Sequence, residues 1–306
     1  MSTLIGQSKA FQAAKHLALN AAKTSASVCL LGESGTGKEL FAHFIHEQSA
    51  RKAQNFVAVN CGALPPSMIE SLLFGHERGA FTGAVERQMG FIEQANHGTL
   101  FLDEIAELPL ELQTRLLRVL EDGQVQRLGA RNSITVNFRL ICATHQDLSY
   151  LTQQNRFRAD LFYRIYVLPI FLPPLRSRQE DIPLLIEFFL NKLSCGANAV
   201  MSSNARRALQ TYPWPGNVRE LKNTLQRALI TCGNSQIQQH DLHFLHMNLA
   251  PNGNLKTQER GQLLHVLEKY SGNHSQSARE LGIARSTLHA RMKKFGISKE
   301  SVARKK

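Results

Sequence analysis

The sequence predicts an α/β domain with a five-stranded parallel sheet, followed by a helical segment and a small all-α domain. Three observations lead to this fold class. Five short apolar runs alternate with helical patterns in the first part of the chain, as in sheets that helices cover on both faces. From residue 177 onward the strand pattern stops and helical patterns follow. Residues 255–306 form a basic tail, with 12 Lys/Arg against 4 Asp/Glu.

The apolar runs predict strands over residues 28–31, 56–59, 99–102, 139–143 and 166–172, and the segments 39–48 and 110–120 between them predict helices. Parallel sheets of this kind bind ligands beyond the carboxyl ends of their strands. The polar residues at those ends therefore mark a predicted site, which comprises Gly32, Asn60, Asp103, Glu104, Thr144 and His145.

Three further helices are predicted over 182–195, 203–212 and 218–231, with Asn217 as the N-cap of the third. The Pro-Asn-Gly-Asn sequence at 251–254 interrupts the helical pattern and predicts a linker. The predicted organisation is an α/β core over 1–175, a helical lid over 176–248, a linker over 249–257 and a second helical domain over 258–306.

The composition excludes several classes of protein. The longest apolar run is broken by prolines and is too short to span a membrane. Five scattered cysteines without a CxxC pair indicate a reducing compartment, with no disulfide framework and no zinc site. The N-terminus has no signal-peptide pattern, so a cytoplasmic protein is expected. A histidine-rich segment does not predict a metal site either, because its spacing rotates around a helix; it contains His240, Asp241, His243 and His246.

A glycine-rich turn between the first strand and the next helix fits the GxxxxGK pattern of a phosphate-binding P-loop. It reads Gly32-Glu33-Ser34-Gly35-Thr36-Gly37-Lys38. Its backbone N–H groups and the helix dipole would hold the phosphates of ATP, with Lys38 at the β- and γ-phosphates. Glu39 stands where the general pattern has a Ser or Thr for Mg²⁺. The alternative is a chance glycine-rich turn.

Two carboxylates follow the third strand, in the order that phosphoryl transfer requires. Asp103 is predicted to bind Mg²⁺, with water in place of the missing hydroxyl, and Glu104 to polarise the attacking water. Two acids after a strand are, by themselves, only a polar strand end. The P-loop upstream favours the catalytic interpretation.

Together with these motifs, a loop of small residues with one aromatic side chain makes the chain resemble the sigma-54-dependent bacterial enhancer-binding activators of the AAA+ class. The loop follows Phe74-Gly75-His76-Glu77 and reads Gly79-Ala80-Phe81-Thr82-Gly83-Ala84. The resemblance implies that this loop contacts the sigma factor. Without the family, a flexible surface turn would be the default interpretation. Glu39, unusual for a general P-loop, agrees with this family.

The resemblance also implies roles for single residues of the site. Asn60 resembles a switch residue that pairs with the catalytic glutamate, and Thr144 and His145 stand at a sensor position. Arg219 matches a second sensor near the γ-phosphate.

Arg158 and Arg164 resemble the arginine fingers that AAA+ subunits of this class supply to a neighbouring subunit. The alternative for Arg164 is a helix-surface ion pair with Asp160, four residues earlier.

The basic tail contains a helix-turn-helix pattern that resembles the Fis-type DNA reader of the same family. Leu281, Ile283, Leu288 and Met292 are predicted to form its core. The polar residues are predicted to bind double-stranded DNA, with Arg285, Ser286 and His289 in the major groove and Lys293 and Lys294 near phosphates. The alternatives are an oligomerisation appendage or a solvated basic surface.

The resemblance as a whole implies a hexameric ATPase that binds an upstream DNA site and acts on sigma-54 RNA polymerase. The chain resembles members without an N-terminal regulatory domain, so control is expected from a partner protein, from expression level or from a region missing here. Three alternatives remain: a regulator that uses the ordinary sigma factor, a DNA-processing motor such as a helicase loader, and a binding module with an inactive ATPase site.

Overall fold

The computed structural model of the protein describes residues 4–193, 200–232 and 236–244, together with positions 263, 267, 270, 273–280, 285, 287, 288 and 292. The chain divides into two compact units, Met1–Phe244 and Leu245–Lys306. Within the described residues, no helix is long and apolar enough to cross a membrane.

The strands of the first unit are β1 (Val28–Leu31), β2 (Phe56–Asn60), β3 (Gly75–His76), β4 (Gln88–Met89), β5 (Thr99–Asp103), β6 (Gln124–Val125), β7 (Ile134–Thr135), β8 (Arg139–Thr144) and β9 (Leu168–Phe171). Its helices are α1 (Lys9–Ala22), α2 (Lys38–Glu47), α3 (Pro66–Phe74), α4 (Phe91–Gln94), α5 (Leu110–Asp122), α6 (Leu148–Gln153), α7 (Ala159–Ile165), α8 (Ile182–Leu193), α9 (Ser203–Thr211) and α10 (Asn217–Cys232).

Five strands form one parallel sheet in the order β2-β5-β8-β1-β9, which confirms the predicted α/β fold class. Alternate residues of the central strands enter two hydrophobic clusters: Leu100 and Leu102 pack in one, and Phe101 packs in the other. Helix α1, which was not predicted from the sequence, covers the second cluster with Phe11 and a stripe of alanines. The sheet is therefore buried on both faces, and the carboxyl ends of its strands meet at one edge.

The small-residue loop 79–84 lies between β3 and β4, which pair antiparallel. A second hairpin, formed by β6 and β7, lies beside this insertion. The two are joined by Arg127, whose side chain is buried and donates to Glu93 (2.6 Å) and Glu77 (2.7 Å). A charged network thus contributes to holding the base of the loop.

Three helices, α8, α9 and α10, form a helical lid around Trp214, which is fully buried and donates its indole N–H to the carbonyl of Leu209 (2.8 Å). The prediction that Asn217 caps the third helix is wrong. Asn217 is the first residue of α10 and has a left-handed backbone (φ 52°), and its side chain bonds to other parts of the chain. A tertiary contact has replaced the local cap.

The start of the chain is anchored to the lid through Asp181, a fully buried carboxylate just before α8. It accepts hydrogen bonds from the backbone N–H groups of Gln7 (2.6 Å) and Ser8 (2.8 Å) and from the Ser8 hydroxyl (2.8 Å). Because a buried carboxylate without partners is costly, this contact fixes the turn before α1 against the lid.

The second unit contains helix α11 (His274–Glu280). Its described buried residues include the predicted core residues Leu288 and Met292. Arg285 is helical and exposed. Other predicted residues of this unit lie outside the described part of the chain, namely Leu281, Ile283, Ser286, His289, Lys293 and Lys294.

Candidate nucleotide-binding site

The glycine-rich turn connects β1 to α2, as the P-loop pattern predicts. Gly35 (φ 79°) and Gly37 (φ 104°) adopt left-handed conformations that favour glycine. A side chain at position 35 would also collide with the lid, because its Cβ would lie 2.4 Å from the carbonyl oxygen of Gly216. The turn therefore requires glycine at position 35 for two independent reasons.

Lys38 begins α2 and is almost fully buried (7% exposed). Its ammonium group donates to the carbonyl of Gly32 (3.0 Å) and lies 3.8 Å from a carboxylate oxygen of Glu104. The positive charge thus stands between the P-loop and the end of β5.

Glu104 directly follows β5 and has a left-handed backbone (φ 51°), which is costly for a residue with a side chain. Its N–H donates to the carboxylate of Asp103 (3.0 Å), and its own carboxylate lies 2.8 Å from Nδ1 of His145. Burial raises the pKa of Asp103, and the negative charge of Glu104 raises it further. Two adjacent carboxylates with an excess of negative charge suit a divalent cation.

Asn60 ends β2 at the predicted edge of the sheet, in register with Asp103. Its side-chain oxygen accepts from the N–H groups of Gly62 (3.0 Å) and Ala63 (3.1 Å), and the described structure contains no hydrogen bond between Asn60 and Glu104. The structure therefore brings the expected switch residue near Glu104 without pairing the two. Thr144 is buried and accepts from the N–H of Gln146 (3.0 Å).

The lid contacts the P-loop directly. Arg219 donates to the hydroxyl of Ser34 (2.9 Å), which places it beside the predicted phosphate site. Arg176 forms a two-point ion pair with Glu33 (2.6 Å for each bond), and Arg178 donates to the carbonyl of Thr36 (3.2 Å). Arg176 and Arg178 were not predicted from the sequence, because no local pattern links them to a loop more than 140 residues upstream.

A cleft of about 730 Å³ lies between the P-loop and the lid. Its lining includes the polar residues of the predicted site, among them Lys38, Asp103, Glu104 and Arg219, and the part beside the P-loop is its predicted phosphate end. The lining also includes apolar side chains, among them Leu4, Ile5, Leu185, Phe188 and Phe189. Polar groups for phosphates and apolar groups for a base fit a nucleotide such as ATP with Mg²⁺.

The two predicted arginine fingers do not line this cleft. Arg158 forms a two-point ion pair with Asp160 (3.0 and 2.6 Å), and this bond lowers the pKa of the carboxylate. Arg164 donates instead to the carbonyl of Leu120 (2.6 Å). The alternative pairing of Arg164 with Asp160 is therefore wrong, because the nearer Arg158 occupies that carboxylate.

The loop 79–84 is closed by a hydrogen bond from the N–H of Gly79 to the carbonyl of Ala84 (2.8 Å). Thr82 is exposed, and Phe81 is 46% exposed. The Phe81 ring is not free of contacts, however, since it packs in a T-shaped arrangement with the ring of His76, with the two ring centroids 5.0 Å apart. The Nδ1 of His76 is in turn hydrogen-bonded to the hydroxyl of Ser71 (2.7 Å). The loop presents one aromatic and one hydroxyl side chain on a compact turn.

Comparison with known protein families shows which family the chain belongs to. A model of the sigma-54 interaction domain matches residues 4–171, which is more than half of the chain. The chain belongs to the family of sigma-54-dependent transcriptional activators. In this activator, residues 176–259 match an AAA+ ATPase lid domain and residues 254–295 match the Fis family of bacterial regulatory proteins.

Curated relatives of this activator are similar over nearly its whole length. It is 41% identical to the response regulator protein PilR of Pseudomonas aeruginosa, over 96% of this chain and 70% of PilR. It is 42% identical to the phenol regulator MopR of Acinetobacter guillouiae, over 97% of this chain and 57% of MopR. The chain thus spans little more than half the length of some of its relatives.

Solved structures of NtrX from Brucella abortus share the fold. The complex with ADP superposes with a TM-score of 0.74 at 34% identity, covering 97% of this chain and 69% of NtrX. The complex with ATP gives a TM-score of 0.73 at 35% identity, with 96% and 69% coverage.

Proposed function

We propose that this activator hydrolyses ATP with Mg²⁺ as a hexamer, binds an upstream DNA site and remodels sigma-54 RNA polymerase at promoters. The observation that carries the proposal is the convergence of Lys38, Glu104 and His145 beside a P-loop, in a chain of the sigma-54 activator family. The proposed setting is the bacterial cytoplasm.

Each residue of the cleft has a proposed role in hydrolysis. The P-loop N–H groups and Lys38 bind the phosphates, and Arg219 contacts the γ-phosphate from the lid. Asp103 and waters hold Mg²⁺, which, when bound, neutralises the phosphate charge. Glu104 orients and polarises the attacking water, and His145 holds the carboxylate in place from the neighbouring strand.

Hydrolysis is also proposed to need groups that are bonded elsewhere in this structure. Arg158 and Arg164 are the proposed fingers for a neighbouring subunit, so assembly has to release Arg158 from Asp160 and Arg164 from the Leu120 carbonyl. Asn60 is the proposed switch, and its side chain has to leave the turn at residues 62–63 to reach Glu104.

ATP hydrolysis is proposed to act on sigma-54 through loop 79–84, where Phe81 and Thr82 contact the sigma factor. The proposed domain boundaries are 1–175, 176–248, 249–257 and 258–306, with DNA bound by the last domain. A regulatory partner protein is a further proposal, for which the family resemblance is the support.

The test is promoter opening by the purified chain with sigma-54 RNA polymerase on DNA that carries its upstream site. Opening should require hydrolysable ATP and should fail with a non-hydrolysable analogue. ATP hydrolysis without any opening at sigma-54 promoters, but with unwinding or loading activity on DNA, would favour a DNA-processing motor instead.

A further inference from the structure

The first turn of α10 is bonded to the P-loop through three consecutive residues. The Asn217 side chain donates to the carbonyl of Ser34 (3.0 Å), the N–H of Val218 donates to the carbonyl of Gly35 (3.0 Å), and Arg219 donates to the hydroxyl of Ser34 (2.9 Å). These bonds use carbonyl and hydroxyl oxygens of the loop. They therefore occupy none of the N–H groups of the loop.

Asn217 is the most deeply placed member of this contact, since it is fully buried. Its amide nitrogen also faces the carboxylate of Glu33 (3.2 Å), and its amide oxygen accepts from the N–H of Leu175 (2.7 Å). Residue 175 belongs to the connection between β9 and the lid. One side chain thus joins the P-loop, the connection between sheet and lid, and the helix that carries Arg219.

The chemistry of this position is specific to asparagine. The site needs a donor toward the oxygens of Ser34 and Glu33 and an acceptor toward the N–H of Leu175, and an amide supplies both. Aspartate would have the same shape but would place a carboxylate against the Ser34 carbonyl and the Glu33 carboxylate. The left-handed backbone at Asn217 (φ 52°) suits asparagine better than most residues.

We propose that Asn217 is a positioning residue that fixes Arg219 at the phosphate end of the cleft and so sets the preference for ATP over ADP. The inference rests on the proposed function, because it assumes that Arg219 contacts the γ-phosphate. The guanidinium of Arg219 stands at the end of a long flexible side chain, so the position that it can reach depends on where α10 begins. Asn217 fixes the start of α10 through its bonds to Ser34 and Glu33 of the P-loop.

The test compares the affinities of the full chain for ATP and for ADP, each with Mg²⁺, by calorimetry. Arg219→Ala should reduce the ratio of ATP to ADP affinity by about tenfold, the scale of one hydrogen bond to a charged group. Asn217→Gly, which keeps the left-handed backbone and removes the amide, should reduce the ratio similarly. The double variant should show no further loss, because the two residues act through one contact.

A second pair of variants tests the amide itself. Asn217→Asp keeps the volume of the side chain, and it should also lower the ATP/ADP ratio. Asn223→Asp makes the same change at an exposed position of α10 and should leave the ratio unchanged.

The outcomes separate this inference from the proposed function. Two results would show a merely structural role for Asn217 and overturn the inference. In one, the losses of ATP/ADP preference add in the double variant. In the other, the Asn217 variants lower the affinities for ATP and ADP by the same factor. A wild-type chain that binds no ATP would contradict the proposed function itself.

Discussion

His145 and Glu104 meet at the carboxyl ends of two neighbouring strands, with Nδ1 of His145 2.8 Å from a carboxylate oxygen of Glu104. The contact follows from the register of the sheet, in which Leu102 of β5 lies beside Cys142 of β8. Lys38 approaches the other oxygen of the same carboxylate. Glu104 is therefore held from two sides, which is the arrangement expected of a group that must orient a water molecule.

Glu104→Gln should bind ATP normally and turn it over poorly. The amide keeps the size of the side chain but cannot polarise water, so we expect kcat to fall by about 10²–10⁴-fold, the usual contribution of a general base. Nucleotide affinity and steady-state ATPase activity measure the two effects. Glu111→Gln, at an exposed position of α5, is the control. A Glu104→Gln protein with wild-type kcat would remove the proposed role.

Mixing two inactive variants should restore ATPase activity if the fingers act on a neighbouring subunit. Arg164→Ala subunits keep Glu104, and Glu104→Gln subunits keep both fingers, so mixed assemblies contain some complete sites. Each variant alone should be nearly inactive, because an arginine finger contributes about 10³–10⁵ in rate. Turnover that stays at the level of the separate variants at every mixing ratio would contradict action between subunits. The same experiment with Arg158→Ala tests the other finger.

Thr82→Ala and Phe81→Ala should keep nucleotide binding, assembly and much of the ATPase activity, and should lose promoter opening. Both side chains are exposed on the loop and neither lines the nucleotide cleft. Open-complex formation with sigma-54 RNA polymerase measures the output, and capture of sigma-54 by the chain in the presence of a transition-state mimic of ATP measures the contact. Promoter activation at the wild-type level by Thr82→Ala would contradict the proposal that this loop acts on sigma-54.

Removal of the second unit should separate DNA binding from hydrolysis. A fragment that ends near residue 248 should hydrolyse ATP and lose specific binding. In the full chain, Arg285→Ala should relax sequence preference by about 1–3 kcal/mol, the scale of one base contact. Lys293→Ala should weaken binding to all sequences alike, as expected for a phosphate contact. Footprinting of the truncated motor on its promoter is the check, and protection there would place the DNA reader elsewhere.

The Glu33–Arg176 ion pair should make part of the stability depend on pH. The hydrogen bond from Arg176 lowers the pKa of Glu33 below its ordinary value of 4.5. A lowered carboxyl pKa contributes stability that is present above the unfolded pKa and is lost as pH falls through the folded pKa. Arg176→Ala should therefore destabilise the protein at neutral pH, by at most about 1 kcal/mol for a partly exposed pair.

That difference should shrink as the pH falls below 4.5, because wild-type Glu33 becomes protonated and loses its bond as well. Denaturant unfolding of both proteins at several pH values provides the comparison. Arg206→Ala, at an exposed position of α9, is the control and should show no such trend. A difference that grows toward acid pH would contradict the assignment.

The sheet and the P-loop were predictable because their signals are local. Five apolar runs identify the central strands, and the spacing of the glycines before Lys38 identifies the turn. Because parallel sheets bind ligands beyond the carboxyl ends of their strands, Asp103, Glu104 and His145 could be predicted to lie at one edge of the sheet without any knowledge of distances.

The rest depended on contacts between distant parts of the chain. Asn217 looked like an N-cap, but its partners include Ser34, 183 residues earlier, and no local pattern encodes that distance. Arg127 likewise bonds Glu77 and Glu93, 50 and 34 residues away. Asn60 was placed correctly at the strand end, yet its side chain turns back and accepts from the N–H groups of residues 62 and 63 in its own turn, a contact that the strand pattern does not encode.

The anchoring of the chain start by Asp181 has a mechanical consequence. Asp181 bonds the lid to residues 7 and 8, and Asn217 bonds it to the P-loop. Contacts at separate places on one body oppose its rotation about any one of them. The lid therefore cannot rotate away from the P-loop while the contacts of Asn217 and of Asp181 both persist, and opening of the cleft has to break at least one of them.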